Sequence, residues 1–101
     1  MNQIDAAQLQ QRLNNGDNIN LLDVRKPIEY LTYNIGGQNI PVGKLQEHIN
    51  SLAYNKTDEI IVICSAGLRS QTAVQILGQN GYTNAVNLKG GLKALQRATN
   101  Q

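Results

Sequence analysis

Residues 60–77 read IIVICSAGLRSQTAVQIL and hold a strand, a tight turn and the opening of a helix in one continuous unit. Ile60, Ile61, Val62 and Ile63 form an unbroken β-branched run. Such a run fits a parallel strand covered on both faces better than one wetted on one side. Cys64 follows directly, so the only cysteine of the chain is expected at the carboxyl end of a central strand. Ser65, Ala66 and Gly67 are small enough for a sharp turn, and Ser70, Gln71 and Thr72 open a helical pattern whose apolar positions are Ala73, Val74, Ile76 and Leu77. The thiol is aimed at a helix start.

Free N–H groups at a helix start and in a curled turn form a concavity that favours an anion. The anion available here is a thiolate. A free cysteine titrates near about 8.5, and one at a helix N-terminus beside a cation falls below that and becomes nucleophilic at neutral pH. Arg69 supplies a positive charge, Ser70 a hydroxyl for the sulfur, and Gly67 a turn that a side chain would obstruct. A lone cysteine is commonly a small buried hydrophobe. The small-residue turn, the glycine and the arginine five positions on favour a reactive thiol instead.

The rest of the chain supplies the layers. Ile4 marks a short edge strand, and Asp5 is placed to cap a helix carrying Leu9 and Leu13 that ends at Asn14, Asn15 and Gly16. Ile19, Leu21, Leu22 and Val24 form a second strand with Asp23 and Arg25 at its end, where parallel strands present ligand-contacting residues. An ion pair bracing the strand end accounts for Asp23. Pro27 at a first helical position begins a short helix, in which Glu29 is within reach of Arg69 or Arg25. Residues 34–41, NIGGQNIP, give a glycine turn and a short third strand ended by proline. Leu45, Ile49 and Leu52 predict a helix over 42–53, and His48 within it has no second ligand at metal-binding spacing. A helix is expected to run to Asn80 with Gly81 as its left-handed cap. Ala85, Val86 and Leu88 make a last strand, and Gly90 and Gly91 turn into a final helix with Leu92 and Leu95. Alternating strands and helices with short links imply an α/β fold, a central parallel sheet of about five strands with helices on both faces.

A chain of 101 residues suits one domain, expected over 1–101. Charged residues are only 16% of it, whereas Asn and Gln fill 24 positions, so amides must wet much of the surface. The net charge of +2 comes without a Lys or Arg block, which argues against a nucleic-acid or anionic-lipid surface. One cysteine excludes an internal disulfide and a multi-cysteine metal cage, and it suits a reducing compartment. No apolar run of signal-peptide or membrane-span length opens the chain, so the expectation is a cytoplasmic, monomeric protein without metal or membrane partner.

CSAGLRS resembles the active loop of the rhodanese (sulfurtransferase) family, in which a cysteine opens a six-residue cradle closed by arginine and then Ser or Thr. LLDVRKPIEY at 21–30 resembles that family's amino-terminal signature and GYTNAVNLKGG at 81–91 its carboxy-terminal one, in the same order and spacing. The chain departs from the family in two places. The common Gly-His-Ile-Pro-Gly-Ala segment is replaced around Tyr33, Asn34, Ile35, Gly36 and Gly37, and a frequent tryptophan is replaced by Leu95. The compact IGGQNIP form is similar to rhodanese modules attached to activating enzymes of sulfur-carrier proteins.

The resemblance implies a single rhodanese-like domain acting as a sulfurtransferase. Cys64 would take the sulfane sulfur of a small donor such as thiosulfate as a covalent persulfide, with no separate cofactor. A thiol, cyanide or a protein would accept it. The loop Ser65, Ala66, Gly67, Leu68, Arg69 and Ser70 would stabilise the persulfide, supported by Asp23 and Arg25. A sulfur-relay or interaction module that does not turn over freely is the alternative. A cysteine phosphatase or arsenate reductase fits less well, because those enzymes place five residues between cysteine and arginine where this chain has four, and no aspartate general acid is evident.

Overall fold

The computed structural model describes residues 2–99, so positions 1, 100 and 101 of the expected domain span lie outside the described residues. Five strands, β1 (Gln3–Ile4), β2 (Leu21–Asp23), β3 (Gln38–Asn39), β4 (Ile60–Ile63) and β5 (Ala85–Leu88), form one sheet in the order β1-β5-β4-β2-β3. Every neighbouring pair is parallel. Four helices, α1 (Ala6–Asn14), α2 (Pro27–Thr32), α3 (Leu68–Gln79) and α4 (Gly91–Thr99), supply the connections and the cover.

The side-chain period of two sends successive apolar residues of the central strands to opposite faces of the sheet, both of them covered. Leu22, Val24, Ile60 and Val62 point to one face, where Leu45, Ala73, Leu77 and Tyr82 cover them. Leu21, Ile61, Ile63, Val86 and Leu88 point to the other, under Leu9, Leu92 and Leu95. A strand with helices on both sides has no wet face on which to place polar residues. Leu95, on α4, is itself buried.

Local chemistry sets the helix ends. The Asp5 carboxylate accepts from the Gln8 amide at 2.8 Å, and the Gln8 side chain accepts from the Asp5 amide at 2.9 Å, which closes a capping box. Pro27 starts α2, as its fixed φ favours, and Gly81 follows α3 at φ 89° with Tyr82 packed behind it.

Two sequence expectations need correction. Residues 42–53 do not form an α-helix; they make two 3-10 turns, Val42–Lys44 and Ile49–Ser51. Gly43, His48, Asn50 and Ser51 are weak helix formers. The amides of Lys44 and Ser51 reach the carbonyls of Pro41 and His48 three residues back, both at 2.8 Å, so the chain tightens wherever an apolar anchor allows. The second correction concerns α3, which begins at Leu68 rather than around Ser70. Gly67, at φ 96°, completes the turn in a single residue, and Leu68, Arg69 and Ser70 become the first helical turn.

Candidate active site

The strand order places β4 between β5 and β2, and the chain leaves β4 at Cys64, on the sheet edge where parallel folds gather their ligands. Cys64 is only 1% exposed, yet its surroundings on the loop side are polar. The Gly67 amide donates to its sulfur at 3.1 Å and the Ser70 amide at 3.4 Å, while the Ser70 hydroxyl lies 3.4 Å from the sulfur. Burial pushes the thiol up. The Ser70 hydroxyl and the amides of Ser70, Gly67 and Ala66 together outweigh it, so the thiol is held below its ordinary value.

The backbone amides can face the sulfur because the carbonyls face away. Leu92 N–H, in the first turn of α4, donates to the Cys64 carbonyl at 2.9 Å, and Lys93 N–H donates to the Ser65 carbonyl at 3.0 Å. Gly91 makes this approach possible. A Cβ there would lie 2.5 Å from the Cys64 and Ser65 carbonyl oxygens, at a backbone φ of 63°. Gly91→Ala is therefore expected to cost about 2–4 kcal/mol, from backbone crowding and left-handed strain combined. Urea denaturation measures the loss, and a variant within 0.5 kcal/mol of wild type, an order-of-magnitude margin for silent surface changes, would show that α4 can back away freely.

Arg69 reaches the site but is not a free cation. Its Nη1 and Nη2 meet the two Glu29 carboxylate oxygens at 2.6 and 3.0 Å, and Nη2 also donates to Ser65 Oγ at 3.2 Å. Of the two partners that the sequence offered Glu29, its carboxylate thus takes Arg69; Arg25 reaches only the Glu29 backbone carbonyl, at 3.4 Å. Hydrogen bonding to Arg69 holds the Glu29 carboxyl down at about 2, against an ordinary 4.5. A carboxyl with a depressed pKa contributes stability that is complete above its unfolded value and fades as pH falls through the folded one. The bridge should therefore weaken between about 4.5 and about 2. Glu29→Gln is expected to flatten the acid limb of a stability-versus-pH series in that window; an unchanged limb would show the bridge to be screened by water.

Asp23 and Arg25 form a second, buried pair. Arg25 Nη2 lies 2.7 Å from Asp23 Oδ2, Nε donates to the same carboxylate, and Nη2 also reaches the Tyr33 carbonyl at 2.7 Å. The pair ties the end of β2 to the Glu29 carbonyl within α2 and to the Tyr33 carbonyl just past its end. Arg25 also faces a cleft of about 380 Å³, lined in addition by Ile28, Glu29, Tyr33, Ser65 and Lys93. Arg69 borders a second cleft, with Val24, Lys26 and Lys44. The Glu29–Arg69 bridge thus joins the two openings beside the cysteine loop.

Of the residues singled out in the sequence, Cys64, Ser65, Gly67, Arg69 and Ser70 converge on one loop. Ala66 lends its amide, while Leu68 turns outward, 72% exposed. His48 stands apart, half exposed, with Nε2 3.9 Å from Glu47 Oε2. Among the described residues no group of three His, Cys, Asp or Glu could hold a metal ion, and no helix is long and apolar enough to cross a membrane. Sequence reasoning missed Asn87, fully buried on β5, whose Oδ1 accepts from the Ser70 hydroxyl. Its signal was a single amide within the apolar run AVNL.

Residues 5–98 match the rhodanese-like domain. The chain is 40% identical to the thiosulfate sulfurtransferase PspE of Escherichia coli, over 71% of this chain and 69% of that one. It is 32% identical to YrkF of Bacillus subtilis over 90% of this chain, but spans only 49% of that protein's length. Among solved structures, the human single-domain sulfurtransferase TSTD1 superimposes with a TM-score of 0.82 at 25% identity, covering 96% of each chain. With a family match over residues 5–98, the chain belongs to the rhodanese-like domain family.

Proposed function

We propose that the protein is a sulfurtransferase whose nucleophile is the Cys64 thiolate. The thiolate attacks the outer sulfur of thiosulfate or a similar sulfane donor. A new S–S bond forms at Cys64, the S–S bond of thiosulfate breaks, and sulfite leaves with the electron pair. The anionic persulfide then meets cyanide, a thiol or a protein nucleophile, which takes the outer sulfur and returns Cys64 as thiolate.

The observation that carries this reading is the convergence of the Gly67 and Ser70 amides on the Cys64 sulfur. Donors fixed in place before the reaction favour the anion without rearranging during transfer. The tight loop disfavours a phosphatase reading, since Arg69 is already engaged by Glu29 and is not free to clamp a tetrahedral oxyanion. Exposed Ile28 and Tyr33, which line the cleft beside the loop, and exposed Leu68 within the loop favour a protein among the acceptors, since apolar surface at a site commonly marks a contact.

Incubation with thiosulfate followed by mass spectrometry tests the proposal. The expected result is a gain of one sulfur atom on the peptide that contains Cys64, removed by cyanide with release of thiocyanate. No gain from thiosulfate but a gain from a persulfide-bearing protein would favour the relay function, and no gain from either would end the sulfurtransferase reading.

A further inference from the structure

Ser70 sits between two groups, and its hydroxyl has only one proton to give. That proton points to Asn87 Oδ1, so the hydroxyl can only accept from the Cys64 thiol, which donates to it at 3.4 Å. This is the hydrogen-bond order of a neutral thiol. Once the sulfur is an anion the order cannot stand, because the sulfur then has no proton and needs one from Ser70. If Ser70 turned its proton to sulfur while Asn87 stayed fixed, the Ser70 lone pairs would face the Oδ1 lone pairs.

A second observation shows where the way out lies. Asn87 is wholly buried, and its Nδ2 is the one buried side-chain nitrogen or oxygen among the described residues that has no hydrogen-bond partner. Buried amide nitrogens are rarely left so. Val86 and Leu88 pack on the opposite face of the sheet, so Asn87 lies on the α3 side, where Ser70 also sits fully buried in the first turn of that helix. A half-turn of the amide about its last side-chain bond exchanges Oδ1 and Nδ2 with little change of volume. Nδ2 then donates to Ser70 Oγ, which is free to donate to sulfur.

We infer that Asn87 is a positioning residue whose amide reverses when Cys64 ionises, so that Asn87, Ser70 and Cys64 form a relay with two hydrogen-bond polarities. The thiol proton goes to bulk water and no covalent bond changes in the relay. Asn87 acts through Ser70 and does not touch the sulfur. The inference rests on the reading of Cys64 as the ionising nucleophile, and it adds a device that presents a donor to the sulfur only when the sulfur is charged. Of the charged groups around the loop, Arg69 from α3 is paired with Glu29 from α2 and Asp23 with Arg25 beyond β2, while Lys93 from α4 and Lys26, Lys44 and Glu47 line the two clefts beside it.

The test is the ultraviolet thiolate absorbance followed against pH in wild type, Asn87→Leu, Ser70→Ala and the double variant. Asn87→Leu is expected to lower the thiolate fraction at a fixed pH below the midpoint about three-fold, because Ser70 loses the donor that polarises it. Within the Ser70→Ala background the same change should have no effect. A higher thiolate fraction in Asn87→Leu would mean that the amide is a fixed acceptor that only competes with sulfur. An unchanged fraction, or an equal loss with and without Ser70, would reduce Asn87 to a packing residue; each of these overturns the inference. Nitrogen–proton NMR on the unmodified protein gives a readout independent of any variant. The Asn87 side-chain amide signals should move with the thiolate absorbance, and stationary signals through that transition would overturn the inference as well. Failure of wild type to take up sulfur would sink the proposed function, yet leave the thiolate titration and its coupling to Asn87 measurable.

Discussion

Cys64→Ser is expected to abolish sulfur uptake from thiosulfate while leaving the unfolding midpoint almost unchanged. The chain has one cysteine, so no second thiol can stand in for it. A serine hydroxyl needs a general base to become nucleophilic. The nearest carboxylate to the loop is Glu29, which already bridges Arg69 and would be a weak base with its pKa near 2. The fold should tolerate the change, because the amides of Gly67 and Ser70 that now face sulfur can donate to an oxygen in the same place. The stability difference should stay within about 1 kcal/mol. Intact-mass analysis after incubation with the donor, beside a urea titration, measures both halves. Sulfur gained by the variant would move the nucleophile away from position 64.

Asp23→Ala is the substitution expected to cost the most stability, about 3–5 kcal/mol. It leaves the Arg25 guanidinium buried with only the Tyr33 and Glu29 carbonyls for company. Removing one member of a buried pair strands the other charge, whereas removing both does not. The double variant Asp23→Ala/Arg25→Met should therefore recover a large part of the loss. Against a typical total of about 5–15 kcal/mol, the single change would unfold a sizeable fraction of molecules at moderate urea. A loss below about 1 kcal/mol would show that water reaches the pair and screens it.

The sheet and the cysteine loop were legible in the sequence because each rests on short-range chemistry. Ile60 to Ile63 could only be a covered strand, and Ser65, Ala66 and Gly67 could only turn sharply. Asp5 and Pro27 announced their helices by capping and by fixed φ. The segment 42–53 misled because Leu45, Ile49 and Leu52 keep a helical spacing even when the backbone between them tightens into separate 3-10 turns. Periodicity reports which residues face the core, not how many backbone bonds close between them. Glu29 and Arg69 were visible as partners but not as a bridge between two clefts, since that depends on how α2 sits over the loop. Asn87 was hidden for a different reason: its meaning lies in Ser70 and Cys64, which are 17 residues or more away along the chain.

The carbonyls of Cys64 and Ser65 are held from behind by the first amides of α4. Those amides belong to α4, which leaves the ribosome after the cysteine loop, so a nascent chain that stops short of Gly91 carries its sulfhydryl without the clasp that orients the loop around it. Domains acquire structure in the order in which they emerge. Reactivity at Cys64 would then switch on late in biogenesis, and a ribosome-stalled fragment should react with thiol reagents as an ordinary cysteine does.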